Sequence, residues 1–294
     1  MTADLLLQGL INGLILGLIY SLIGLSLNII FGVLRVVNFA HGEFIILGAY
    51  AAYFLQRLLG LSPFLAMPVI FVMFALIGWA LYFVLVKRLT RSDDPETASL
   101  LVMFGLSITL GALMLFFFEA DARSLDYMLE PPFLMFGNIV IPTTRLVALA
   151  ITLVITGITA WFLYRTFPGK ALRAVIMNRS AVATVGIDVE KLSAMTFGIG
   201  LGFAGVTGVL LAMIFPAFSP FAGADYTLIG FIIIVLGGLG HPIGALVGGL
   251  LFGVTEQVTV VLADNSVALL VGFALMIAVI FFRPSGLFGR QQMR

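Results

Sequence analysis

Apolar residues run along this chain in long unbroken blocks, separated by short charged or Pro/Gly-containing breaks, with neither strict alternation nor an amphipathic stripe. A helix needs roughly 20 consecutive apolar residues to cross about 30 Å of hydrocarbon. The blocks therefore predict spans near residues 5 to 33, 41 to 60, 63 to 86, 98 to 118, 143 to 164, 192 to 215, 226 to 239, 243 to 262 and 266 to 282. The seventh is short, and 226 to 262 also reads as a broken or re-entrant pair, so eight or nine spans are expected. Continuous blocks exclude a transmembrane β-barrel, whose strands alternate. The expected class is all-α: a polytopic helical membrane protein, one transmembrane domain over residues 1 to 294.

Composition agrees with this. Hydrophobic residues make up 62% of the chain and charged ones 10%, against roughly 25% charged in soluble domains. The start, Met1 to Asp4, lacks a basic n-region, and the block after it is too long for a signal-peptide core, so it reads as a retained span. Cysteine is absent, which excludes disulfides, thiol nucleophiles and Cys-based metal sites. A net charge of +1 offers no basic field for nucleic acid.

Lys and Arg accumulate on cytoplasmic loops. Placing Arg35, the Lys87 to Arg91 loop, the Arg165 to Lys191 loop and the Arg283 to Arg294 tail on one side collects twelve of fifteen. Only Arg57, Arg123 and Arg145 fall on the other. This predicts an external N-terminus and a cytoplasmic C-terminus, consistent with an odd number of crossings. The loop from Glu119 to Pro142, with four acidic residues and a Pro131-Pro132 break, is then external. It is long enough to meet a soluble partner, and a plain solvated loop fits it equally.

Gly9, Gly13 and Gly17 share one face of the first span, and Gly244, Gly248, Gly249 and Gly253 repeat the spacing late in the chain. Small residues so placed let backbones approach closely in lipid, within one subunit or between subunits. Gly200, Gly202 and Gly205 satisfy a dinucleotide fingerprint, but they lie inside the uncharged apolar run from Met195 to Ile214 with no strand signal before it, so helix packing explains them.

Glu43 and Glu256 are the acidic residues inside the spans, and His41 and His241 stand at the starts of the second and eighth. Ionisable groups at membrane depth line cavities or find partners. Asn38-Phe-Ala-His41-Gly before Gly48-Ala49 resembles Leu239-Gly-His241-Pro before Gly248-Gly249, a hint of an internal repeat with a helix break in each half. Two histidines without a third ligand do not make a metal site. The histidines suit capping or backbone bonding; Glu43, one turn into its helix, complements the dipole. Glu256, deeper, is the better pathway residue. Asn12 and Tyr20 in the first span complete the candidate pathway set of Asn12, Tyr20, Asn38, His41, Glu43 and Glu256.

The segment from Thr166 to Lys191 is the longest basic loop. Pro168-Gly169 breaks the fifth span, Lys170 to Met177 predicts a short helix, Asn178 caps a second one ending at Gly186, and Asp188 caps the sixth span. Leu172, Val175 and Ile176 share a face flanked by Lys170 and Arg173. Such a helix docks into a protein groove or lies on an anionic membrane surface. With no GxxxxGK[ST] motif anywhere, the chain has no P-loop of its own.

Several of these features together resemble a known family. Gly9 to Tyr20, Asn38-Phe-Ala-His41-Gly-Glu43, Gly169-Lys-Ala-Leu-Arg173, Asn178, Ala181, Gly186-Ile187, Gly237-Gly-Leu-Gly240 with Pro242-Ile-Gly244, and Arg283-Pro-Ser-Gly286-Leu-Phe-Gly289 are similar to the permeases of branched-chain amino acid ABC importers, over nearly the whole chain. The resemblance implies a heterodimer with a related permease in a bacterial inner membrane, two cytoplasmic ATPase subunits using ATP and Mg, and a periplasmic amino acid binding protein. The chain itself then has no catalytic residues and no cofactor. It also implies that Gly169, Lys170, Arg173, Asn178, Ala181 and Gly186 couple to the ATPases. Relatives serving urea and short amides keep the substrate open. A secondary transporter driven by proton or sodium flux is the rival class.

Overall fold

The structure, a computed structural model, describes residues 2–289 except Arg91 and Met128. Arg91, Arg290 and Arg294 of the basic loops thus lie outside the described residues. The helices are α1 (Thr2–Leu34), α2 (His41–Leu59), α3 (Pro63–Leu81), α4 (Lys87–Leu89), α5 (Pro95–Phe118), α6 (Thr143–Arg165), α7 (Phe167–Met177), α8 (Arg179–Thr184), α9 (Val189–Ile214), α10 (Ala222–Gly237), α11 (Pro242–Leu262) and α12 (Asn265–Phe282). A π turn, Tyr82–Val86, joins α3 to α4.

Among the described residues, eight helices are long and apolar enough to cross a membrane. The one long helix of the expected nine that falls outside this group is α2, which carries His41, Glu43 and Arg57 within 19 residues. The short seventh block is instead long enough, because its helical run begins earlier than the sequence pattern suggested. The 119 to 142 loop is not wholly irregular: β1 (Phe133–Phe136) and β2 (Ile139–Pro142) form an antiparallel hairpin that leads into α6.

Helices α1 and α9 form the buried axis. Large apolar side chains on α3, α5, α6 and α12, such as Leu76, Leu101, Ile158 and Leu270, face outward, as a lipid-facing belt requires. Glycines set the closest approaches at the axis. A Cβ on Gly13 would stand 2.7 Å from the Val254 Cα and one on Gly17 2.8 Å from the Gly249 carbonyl oxygen, so α1 and α11 pack backbone to backbone within one subunit. The fingerprint-like glycines do the same for α9: Gly200 meets Ile30, Gly202 meets Phe71, and Gly205 meets Ile70 and Phe74.

Two helices start inside the bundle. Helix α1 ends at Arg35, whose φ of 54° turns the chain back, and residues 36–40 then run inward with Val36, Asn38 and Ala40 buried. His41, the first residue of α2, bonds Ser26 of α1. Ser26 lies eight residues before the end of α1, which puts the start of α2 about 12 Å inside at the helical rise. Helix α10 likewise begins inside, with Gly223 against the Glu43 carboxylate. The broken-pair expectation for 226 to 262 is thus half right: the break at Gly237–His241 exists, but the re-entrant start lies upstream at Ala222.

Candidate functional site

Where α2 and α10 meet, their first turns pack against each other beside Thr227. The Gly42 N–H donates to Thr227 Oγ1 (2.9 Å), and that hydroxyl lies 3.1 Å from the Gly223 and 3.2 Å from the Phe39 carbonyl oxygen. Gly42 leaves no room for a side chain, since a Cβ there would stand 1.9 Å from the Gly223 carbonyl oxygen. Glu43 is buried here; its Oε1 accepts from Ser107 of α5 at 3.2 Å, while Oε2 has no partner. Two helix N-termini give this carboxylate a favourable field.

The other candidates on this turn are tightly held. Asn38 is fully buried; its Oδ1 accepts from the Ala40 N–H and its Nδ2 is unpartnered. His41 Nε2 lies 2.8 Å from Ser26 Oγ, and since Ser26 donates to the Ile23 carbonyl, the imidazole N–H is assigned to Nε2. Nδ1 then carries a buried, unpartnered lone pair. His241 behaves as a cap: its Nδ1 accepts from the Gly244 N–H at 3.2 Å. Asn28 of α1 closes this second break, donating to the Gly238 and His241 carbonyls and accepting from the Gly240 N–H. The Arg283 to Gly289 motif packs on the same break, with Leu287 and Phe288 amides donating to Leu236 and Gly237.

A separate polar cluster surrounds Tyr20. Its ring is buried against Phe252, 5.8 Å between centroids, and its hydroxyl hydrogen-bonds Glu256. Asn12, a little more than two turns away on α1, accepts from Arg145 at 3.1 Å. The sequence-derived pathway set therefore splits into two groups: Asn38, His41 and Glu43 at the α2–α10 joint, and Asn12, Tyr20 and Glu256 on the packed helices α1 and α11. Arg145 was read only as a lone basic residue of an external loop, because a positive charge two residues into an apolar block looks like a flank. Ser107 was missed because it carries no pattern.

At the basic end, α6 stops at Thr166 and not at Pro168-Gly169, which lie inside the first turn of α7. The Thr166 hydroxyl accepts from the Gly169 N–H (3.2 Å). Gly169 lets α7 fold back on α6, since a Cβ there would stand 2.0 Å from the Phe162 carbonyl oxygen. Asn178 caps α8 through Ala181 N (3.0 Å) and Asp188 caps α9 through Lys191 N (3.0 Å), as the sequence predicts. Backbone amides hold the Asp188 carboxyl below its usual range. Gly186 has the left-handed φ of 81° that ends the segment.

The apolar stripe of α7 faces inward. Leu172 and Val175 are buried and Ile176 packs on Gly32 of α1, so the stripe docks onto its own chain. What remains outward is a different patch: Phe167, Met177 and Val185, with Lys170, Arg179 and Ala181 among them. The corner is tied to the bundle by Arg173, whose Nε donates to the Leu163 carbonyl (3.0 Å) while its guanidinium stacks over Tyr164, and by Arg179, which donates to the Val33 carbonyl (3.3 Å). Lys87 pairs with Glu190 nearby. A cavity of about 790 Å³ lies between the corner and the second break, lined by Arg35, Glu96, Tyr164, Arg173, His241 and Phe288.

Eight potential spans among the described residues, two helices starting inside the bundle and a folded corner at one end make a polytopic helical membrane protein. Residues 9–280 match the family model described as the branched-chain amino acid transport system permease component, and the chain belongs to that family. It is 30% identical to the high-affinity branched-chain amino acid transport system permease protein BraD of Pseudomonas aeruginosa, over 97% of this chain and 96% of that one. It is 31% identical to the probable branched-chain amino acid transport permease protein LivH of Methanocaldococcus jannaschii, over 91% and 88%. The permease protein LivM of Escherichia coli is 24% identical over 90% of this chain and 67% of its own length.

Proposed function

We propose that this chain is the membrane permease subunit of an ATP-driven importer of branched-chain amino acids. It works beside a second, related permease, with two cytoplasmic ATPase subunits that use ATP and Mg and with a periplasmic binding protein that delivers the solute. The setting is a bacterial inner membrane, with the basic end cytoplasmic, the N-terminus external and the C-terminus internal. Similarity to relatives named for branched-chain amino acids favours that substrate over urea or short amides.

The observation that carries the coupling role is the corner of α7 and α8. Its inner face is fixed to α1 and α6 through Arg173 and Arg179, and its outer face presents Phe167, Met177 and Val185. Nucleotide-driven closure of the ATPases moves Gly169 to Gly186, and the tethers pass that motion to the ends of α1 and α6. The joint of Asn38, His41 and Glu43 with Gly223 is where the half-helices re-seat between the two access states, and Asn12, Tyr20 and Glu256 border the path.

The test is ATP hydrolysis by the complex reconstituted with its binding protein, against a panel of leucine, isoleucine, valine, urea and acetamide. Stimulation by the branched-chain amino acids is the expected result. Stimulation by urea alone would overturn the substrate, and leucine uptake that persists without ATP would overturn the mechanism.

A further inference from the structure

Three charged side chains, Arg35, Glu96 and Arg173, line the cavity of about 790 Å³ beside the corner. No ion pair joins them among the described residues. Arg173 uses its Nε on the Leu163 carbonyl and lays its guanidinium over Tyr164, which leaves both terminal amino groups without an acceptor among the described residues. Arg35 holds a left-handed φ of 54°, a conformation that glycine would adopt at less cost. The walls also fix the depth of the cavity. Arg35 follows the last residue of α1, Glu96 is the second residue of α5 and Tyr164 the last but one of α6, so the cavity lies where membrane helices end on the basic side. Met177, Leu239 and Phe288, which also line it, are exposed.

We propose that this cavity binds the head group of a membrane phospholipid carrying both a phosphodiester and a primary ammonium. Basic pockets among helix ends at the membrane boundary recognise lipid head groups. The two guanidinium forks suit the phosphate oxygens, and the Glu96 carboxylate suits the ammonium. A lipid of this class answers all three charges, whereas one with a phosphate alone leaves Glu96 unanswered, and a quaternary ammonium has no N–H to donate to it. The volume falls within the roughly 300 to 1,000 Å³ of small-molecule sites. Met177, Leu239 and Phe288 give the glycerol and first acyl carbons an apolar contact that a soluble phosphate compound would not use. Such a lipid touches α7 through Arg173, the end of α1 through Arg35 and the second break through Leu239, so it braces the corner against the bundle. The site needs only the membrane embedding of the chain; its bearing on coupling rests on the importer reading.

The experiment is native mass spectrometry of the full chain, with the subunits that co-purify, in mild detergent holding equal amounts of phosphatidylethanolamine, phosphatidylglycerol and phosphatidylcholine. The wild type retains phosphatidylethanolamine about tenfold in preference to either competitor, the weight of one charge-assisted contact. Arg35→Gln lowers retention of all three lipids to a similar extent, and Arg35→Lys keeps most of it. Glu96→Gln brings phosphatidylethanolamine down to the level of phosphatidylglycerol, which is itself retained at least as well as before; misfolding would not produce so selective a change. Arg165→Gln, which removes an exposed charge at the same end but outside the cavity, leaves retention as in the wild type. No retained lipid in the wild type, a preference for either competitor, or wild-type retention in both Arg35→Gln and Glu96→Gln would overturn the site. Displacement by soluble O-phosphoethanolamine at equal concentration would overturn the lipid and assign the cavity to a free phosphate compound. Each of these failures leaves the importer reading standing, which falls instead if leucine does not stimulate ATP hydrolysis by the reconstituted complex.

Discussion

The carboxylate of Glu43 lies against the backbone of Gly223: a Cβ at position 223 would stand 2.2 Å from Oε2 and 2.5 Å from Cδ. The first turn of α10 is thereby fitted to a side chain of α2. The collision partner at 223 is the end of a side chain, whereas the partner of a Cβ at Gly42 is backbone. Gly42→Ala is therefore expected to destabilise the protein more than Gly223→Ala, with overpacking costs of about 1 to 3 kcal/mol bracketing the two. Thermal unfolding in detergent gives the order. The double variant Glu43→Ala with Gly223→Ala recovers part of the loss of Gly223→Ala, since the clash is removed; strict additivity would show that the two residues do not touch.

Glycines divide into those that hold helices together and those that face open space. Cβ atoms at Gly105 and Gly157 meet nothing within 4 Å, while those at Gly13, Gly17 and Gly253 run into the facing backbone. Gly105→Ala and Gly157→Ala should be neutral or stabilising by up to about 1 kcal/mol through helix propensity. Gly17→Val and Gly253→Val should abolish folded protein on size-exclusion chromatography. Equal tolerance at all four positions would contradict the α1–α11 contact.

Removing Ser26 takes away the acceptor of the His41 N–H inside the bundle. Ser26→Ala should lower stability by about 1 to 3 kcal/mol, the cost of an unsatisfied buried donor, and His41→Phe combined with Ser26→Ala should cost less than the sum of the two changes. Denaturation of the single and double variants measures this.

Much of this architecture was legible from residues alone, for physical reasons. Blocks of apolar residues report burial in lipid whatever their partners, so the span limits came close. Caps are local, so Asn178 and Asp188 could be assigned from their neighbours. Depth was hidden: nothing near Arg35 states that the next five residues run inward, because a return through protein needs partners on α1 and α10 rather than a local pattern. The stripe of Leu172, Val175 and Ile176 was visible, but the surface it covers is not encoded in its periodicity, and it proved to be the chain's own α1 and α6. The bond from Arg145 to Asn12 joins residues 133 positions apart and could be made only by the fold.

Asp188 caps α9 with its carboxylate held below the usual range by the Lys191 amide and the lysine itself. A depressed folded-state value means the contribution is complete above the unfolded value, about 4, and is lost as pH falls through the lower folded one. Protection of the Lys191 amide, its exchange relative to the intrinsic rate at each pH, should therefore hold at pH 5 and above and fall on acidification below about pH 4. Asp188→Asn keeps the cap oxygen and flattens that dependence; an unchanged profile in Asp188→Asn would assign the acid response to another group.

The central claim is that the corner from Gly169 to Gly186 is where ATPases drive this permease. Ala181 and Val185 are exposed there, so a large charged residue at either should leave the fold intact while spoiling the outer surface. The most direct measurement is ATP-dependent leucine accumulation in proteoliposomes by the complex carrying Ala181→Arg or Val185→Arg, with folding checked by unchanged thermal unfolding of the permease. Loss of accumulation of at least tenfold is the predicted result. Full accumulation in both variants would place the driving contact elsewhere.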